Sequence, residues 1–299
     1  MGKHFDLREL GFPKRFLGIT ITKCNDGSIF ISQESYIENI LKILEFTDSN
    51  TALTPMVPIA NHRESRKSVP VQLNVPYRSA VGYLQYLVTC TRPDLAFAVG
   101  YVARFQNNPQ PIHWKLVTRI LKYLKGTKTL GLLFETSDKH QDLDPLDAYA
   151  YADFAAGISR RSTTGFVIQM YGQPVTWCSK LQKSIVESTS EAELKALCQA
   201  AHDIKFLLYL TQELLYDIRT PVTLYEDNVG ALRHYQLYAS RGRIRHLEIS
   251  YFKAQEYVRS GTLRIRKVPS KGQRADALTK PLLETDFLQA RNAPVRNKP

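Results

Sequence analysis

The chain has 299 residues, 43% of them hydrophobic, with ordinary numbers of Gly and Pro (15 each), which excludes fibrous and low-complexity classes and allows two compact units with cores of their own. Forty Lys and Arg against 28 Asp and Glu give a formal charge of +12, which points to a polyanionic partner, nucleic acid before an anionic membrane surface. Cys24, Cys90, Cys178 and Cys198 show no metal or disulfide spacing, no uncharged apolar run approaches a membrane span, and the start "GKHFDLREL" is no secretory signal; the expectation is a soluble protein of a reducing, intracellular compartment.

In chain order, "RFLGITITKCNDGSIFISQ" reads as a hairpin turned at Asn25-Asp26-Gly27. "ESYIENILKILEF" carries Ile37, Ile40, Leu41 and Leu44 at helical spacing. Residues 54 to 76, rich in Pro and charge, read as an exposed loop. Three helices follow: "YRSAVGYLQYLVTCT", "DLAFAVGYVARFQ" and "PIHWKLVTRILKYLKGT", the last begun by Pro111 and ended at Gly126. Trp114, Tyr83 and Tyr86 belong with the core of this helical region.

The pattern changes after the acid-rich segment 138–146. "AYAYADF" alternates as a strand, "TGFVIQMYGQPVTWCSK" is a hairpin turned at Gly172-Gln173, and "SIVES" reads as a strand entering a helix. "PVTLYED" and "TLRIRKVP" are later strands; "NVGALRHYQ", "HLEISYFKAQEYVRSG" and the segment begun by "QRADALTK" are helices. Antiparallel strands followed by alternating helix and strand make a mixed sheet with helices on its faces.

The helix in "STSEAELKAL" poses a question. Glu191 shares a face with Lys195, as an exposed i,i+4 pair would, but Glu193 shares its face with Ala196, Leu197 and Ala200, the packing side. A capping box from Ser190 to Glu193 would account for it, and so would a site into which Glu193 points. Asp153 and Asp227 close strands while Glu193 and Asp276 open helices, and ligand sites of α/β sheets lie where such ends meet. Four gathered carboxylates need positive compensation. A pair of divalent cations about 3.5–4 Å apart supplies it and can activate water against a phosphodiester. Taken singly, Asp153 and Asp227 also suit strand-end turns, and Asp276 a helix start.

These stretches carry a resemblance. "YADFAAGISRRSTTGFVI", "WCSKLQKSIVESTSEAEL", "YEDNVGAL" and "KGQRADALTKPL" resemble the ribonuclease H domain of copia-type retrotransposon polyproteins. "RFLGITI", "ISQESYIENIL", "YRSAVGYLQYLV", "RPDLAFAV" and "HWKLVTRILKYLKGT" resemble the end of the adjoining reverse transcriptase. The resemblance implies an α/β ribonuclease-H-like unit, a mixed five-stranded sheet flanked by helices, over 141–290. Before it, 1–140 would be a remnant of reverse transcriptase, a primer-grip-like hairpin and mostly helical thumb, and 291–299 would be a tail. It implies cleavage of the RNA strand of RNA–DNA hybrids with two Mg²⁺, for which Mn²⁺ can substitute, held by Asp153, Glu193, Asp227 and Asp276. The second Glu of "EAE" is the family's metal ligand.

No Asp-Asp pair occurs in the chain, so the palm turn a polymerase of this family needs is missing, and no DNA synthesis is expected. The chain reads as the carboxyl-terminal part of a larger polyprotein, acting in the cytoplasm, inside a virus-like particle where the element is intact, or in the nucleus. The rest of a reverse transcriptase is a second expected partner, and a membrane is not. The loop "VPSKGQRAD" lacks the histidine many ribonucleases H carry there, which bears on turnover. From 239 to 274 ten Arg or Lys face two Glu; Arg264 and Arg266 share a strand face. With Lys271, and with Arg160 and Arg161 after Asp153, they read as phosphate contacts or, failing that, as solvated charge. His246 reads as a cap or surface residue. The alternatives are a module that binds hybrid without cutting it and an inactive remnant.

Overall fold

The structure, a computed structural model, describes residues 11–58, 74–136, 143–155, 159–236, 249–292 and 294–298. Most of the expected loop 54–76, together with Arg241, Arg243, Arg245 and His246, lies outside the described residues.

Two sheets organise the chain. The first has the order β1 (Arg15–Phe16), β2 (Ile19–Lys23), β3 (Ile29–Ser32) and β4 (Gly131–Phe134). The β2–β3 turn is the expected one: Gly27 has φ +85°, and Asp26 Oδ1 accepts the Ser28 N–H at 3.0 Å. β4 was not foreseen; it pairs antiparallel with β3, Gly131 facing Ser32. Beside it, α1 (Glu34–Ile43), α2 (Tyr77–Cys90), α3 (Ala96–Ala103) and α4 (Pro111–Gly126) pack on one another around a core of their own. Their buried positions recur at three and four, as with Ala80, Leu84 and Leu87 of α2 and Leu116, Ile120 and Leu124 of α4, so each apolar stripe closes on its neighbours. α4 spans the Pro111 and Gly126 that were read as its ends.

The second sheet has five strands in the order β7 (Gln173–Leu181), β6 (Thr163–Met170), β5 (Leu146–Asp153), β8 (Val222–Glu226) and β9 (Leu263–Lys267). β5, β6 and β7 are antiparallel in sequence; β8 and β9 add in parallel beyond β5. Helix α5 (Thr189–Glu213) crosses β5 and β6, with α7 (Ile249–Arg259) beside it and α6 (Val229–Gln236) after β8. This is the mixed, helix-flanked α/β sheet of a ribonuclease-H-like unit. "SIVES" is not one of its strands: residues 184–188 form an irregular link whose Val186 is buried against the core, so packing accounts for an alternation that looked like a strand. The segment at "QRADALTK" is a short 3-10 turn, Asp276–Leu278, and α8 (Glu284–Asn292) follows it.

α8 returns to the first core. Phe287 is buried there and meets Tyr123 edge-on, with ring centroids 5.8 Å apart. Within 291–299, read as a tail, Val295 is buried and Arg296 pairs with Gly131 in a β-bridge. Trp177 on β7 donates to the Val88 carbonyl at 2.8 Å, a second tie between the two halves.

Candidate active site

β5 and β8 are parallel, so both end on the same side of the sheet, where Asp153 and the pair Glu226–Asp227 stand. β7 runs the same way as β5, because β6 is antiparallel to both, and brings Lys180, Gln182 and Lys183 to that side. The start of α5 carries Glu193 in, and the turn Asp276–Leu278 carries Asp276 in. Gly165 makes room for that turn. A Cβ there would stand 2.5 Å from Thr279 Cγ2 and 2.9 Å from Leu278 Cβ, so a side chain would push Asp276 away from the sheet.

Glu193 is 3% exposed, on the same buried face as Ala196, Leu197 and Ala200. Its capping role is corrected: α5 starts one residue after Ser188, whose Oγ accepts the Glu191 N–H at 3.2 Å, while Glu191 Oε2 accepts the Glu187 N–H at 3.1 Å. Glu191 also pairs with Lys195 at 3.3 Å. Glu193 instead reaches the sheet, its Oε2 accepting the Ala152 N–H at 2.6 Å. The two glutamates thus divide the work, Glu191 closing the helix end and Glu193 entering the site.

Carboxylate oxygens of Glu193, Glu226 and Asp227 lie within 4.8 Å of one another. Glu226 was not foreseen. It is wholly buried; Oε1 accepts the N–H groups of Asp227 at 3.1 Å and Asn228 at 2.9 Å, and Oε2 has no hydrogen-bond partner among the described residues. Two adjacent acids at a strand end were the available signal. Asn228 Oδ1 in turn accepts the Gly230 and Ala231 N–H groups, capping α6 and fixing the loop that holds Asp227. Asp276 and Asp153 lie outside the tight triple but act on it or on each other. Burial raises both carboxyls; Lys280 opposes this, and Asp227 adds to it at Asp276, Asp276 at Asp153.

Burial pushes Glu193 well above the ordinary carboxylate value, and Glu226, Asp227 and Asp276 push it further against the Ala152 hydrogen bond. Glu226 is raised by burial and by Asp227, against two backbone N–H groups. Burial leads for both, neighbouring acids add to it, backbone N–H groups oppose it, and no cation is among the causes. Oxygen-only donors, buried, crowded and with one oxygen lacking a partner, fit a hard divalent cation such as Mg²⁺.

Of the expected phosphate contacts, Arg160, Arg161, Arg266 and Lys271 are exposed. Arg264 is occupied: it donates to Thr223 Oγ1 at 2.7 Å and pairs with Asp144 at 3.1 Å. A cleft of about 380 Å³ between the end of β7 and α5 collects Lys180, Lys183 and Lys195, none of which the sequence had marked as a phosphate contact.

No protein-family model matches the chain. The chain is 34% identical over 297 residues to the retrovirus-related Pol polyprotein from transposon TNT 1-94 of Nicotiana tabacum, covering 96% of itself and 22% of that protein. It is 33% identical over 291 residues to the retrovirus-related Pol polyprotein from transposon RE1 of Arabidopsis thaliana, covering 96% of itself and 19% of that protein. The chain therefore spans about a fifth of the length of these curated relatives. Among solved structures, LC11-RNase H1 in complex with RNA/DNA hybrid is 20% identical over 45% of this chain and 93% of that one, with a TM-score of 0.35. A score of that size adds nothing to the strand order, on which the fold rests.

Proposed function

Because the chain belongs to the copia-type family of retrotransposon Pol polyproteins, we propose that it is a hydrolase that cuts the RNA strand of RNA–DNA hybrids, with Asp153, Glu193, Asp227 and Asp276 holding a pair of divalent ions, Mg²⁺ or Mn²⁺ in its place. The observation that carries this reading is the gathering of Glu193, Glu226 and Asp227 at the ends of β5 and β8, with no cation among the causes that raise Glu193 and Glu226. Such a cluster is costly unless something positive binds there. Bound divalent ions would lower the pKa of a water and offset charge on the phosphodiester.

The chain's own residues then have separate tasks. Glu193, whose Oε2 the Ala152 N–H fixes on the sheet, would hold the ion through its free carboxylate oxygen. Glu226 holds the backbone of Asp227 and Asn228 and sets where the Asp227 carboxylate points. Arg160, Arg161, Arg266 and Lys271, with the lysines at the end of β7, offer cations to backbone phosphates without reading bases. Arg264 contributes less, since its guanidinium is already engaged.

The test is cleavage of a labelled RNA–DNA hybrid by the purified chain with Mg²⁺ and with EDTA. Mg²⁺-dependent cuts in the RNA strand support the enzyme. Salt-sensitive binding without cleavage selects a hybrid-binding module, and neither cleavage nor binding an inactive remnant.

A further inference from the structure

Among the described residues, one ion pair sets a cation on these acids. The turn after β9 places Lys280 one helical step beyond Asp276, its backbone N–H donating to the Asp276 carbonyl at 3.3 Å. Its ammonium lies 2.7 Å from Asp276 Oδ1, 3.4 Å from Tyr151 Oη and 4.8 Å from the Tyr151 ring centroid. Tyr151 and Asp153 stand two apart on β5 and share a face of that strand. Lys280 is therefore held between Asp276 and the strand face that carries Asp153.

We propose that Lys280 is a built-in counter-ion of the site, which sits on Asp276 in the metal-free protein and is displaced when a divalent cation takes that carboxylate. The inference rests on the reading of Asp276 as a metal ligand. Its physical basis is that one carboxylate oxygen cannot hold an ammonium at 2.7 Å and a divalent ion at full strength together. The side chain can leave: it is 32% exposed, unlike the enclosed guanidinium of Arg92, and its four-carbon stem swings without breaking a bidentate fork. Two ligands that exclude each other are coupled reciprocally, so the lysine weakens the ion by the factor by which the ion weakens the lysine. Lys280 is thus a positioning residue that sets the affinity of the site and keeps the cluster folded before the ion arrives.

The experiment is calorimetric titration of the full chain, without nucleic acid, with MnCl₂ and with MgCl₂, comparing the parent with Lys280→Met, Lys280→Gln and Lys280→Arg. The two neutral variants should bind the ion about ten-fold more tightly, within the range usual for coupled sites. They should also unfold at lower temperature in EDTA and regain the loss when the ion is added. Lys280→Arg should keep a parent-like melting point in EDTA. If either neutral variant folds and binds the ion no more tightly than the parent, the proposal is overturned while the metal site stands. If neither parent nor variants bind the ion, the metal reading falls and takes this proposal with it.

Discussion

The two halves of the molecule each bury a carboxylate and treat it in opposite ways. In the first core, Asp94 is met by Arg92 through two hydrogen bonds, at 2.9 and 2.8 Å, and by Tyr123 Oη at 2.7 Å. Burial alone would raise its carboxyl, but Arg92 and Tyr123 outweigh it and hold the group below the ordinary value. Arg92 is itself satisfied by the carbonyl and hydroxyl of Thr127, so the network links the turn before α3 to the end of α4. In the second half, Glu193 and Glu226 are as deeply buried, yet their charged neighbours are other acids and both carboxyls are raised in spite of backbone N–H groups that oppose it. The first arrangement is complete within the protein and serves architecture. The second gathers carboxyls that burial and one another push up, and it is this arrangement on which the proposed metal site rests.

The comparison predicts opposite signs for similar substitutions. Arg92→Met leaves Asp94 buried without its cation and should cost about 3–5 kcal/mol in urea unfolding. A loss below about 1 kcal/mol would mean that the pair is not what joins α3 and α4. Glu193→Gln keeps an acceptor for the Ala152 N–H but removes one charge from the cluster; hybrid cleavage should fall more than about 100-fold. Its melting point in EDTA should not drop, and a variant that cuts at the parent rate removes Glu193 from the site.

Smaller effects sharpen the contrast. Glu226→Gln should raise metal-free stability at pH 7 by about 1 kcal/mol or more, since burial holds this carboxyl protonated, its value pushed up to about 8, while the unfolded chain gains by ionising it and Gln forgoes that cost; equal or lower stability in EDTA would show that Glu226 is better paired than its neighbours suggest. Asp147, on β5 away from the cluster, is raised to about 6 by burial and by Asp144, against Arg274. Folded-state protonation at a higher pH than in the unfolded chain means that stability falls as pH rises from about 4 to about 6 and stays lower above that. Asp147→Asn should remove this slope and gain on the order of 1 kcal/mol at pH 7, read from unfolding at pH 4 and pH 7. Smallest of all, Glu191→Gln weakens a half-exposed pair with Lys195 and should cost about 0.5 kcal/mol with cleavage unchanged. Loss of cleavage in that variant would shift the register of α5 against the site.

Local pattern made much of this legible. Apolar residues three and four apart placed α1 to α5, Pro111 and Gly126 bounded α4, and Asn25-Asp26-Gly27 turned the first hairpin, because each signal acts within a few residues of itself. The same periodicity put Glu193 on the packing face of α5, and that suffices to single it out from Glu191. What failed were elements whose definition depends on a distant partner. Gly131–Phe134 is a strand because β3 lies a hundred residues earlier, and "SIVES" is not one because nothing pairs with it.

The sequence by itself determined helices α1 to α5, the first hairpin, the face Glu193 occupies and, through resemblance, the family to which the chain belongs. Tertiary structure alone decided that Glu226 joins Glu193 and Asp227, that Lys280 rather than a distant arginine stands on Asp276, that Arg264 is already taken by Asp144, and that Phe287 closes the first core. The reason is common to all four. Periodicity reports which side of an element faces inward, over distances of one or two turns; it carries no information about which elements come to lie side by side. A charge becomes compensated or stranded only when strands as far apart as β5 and β8 pair in register and bring their ends to one edge of the sheet.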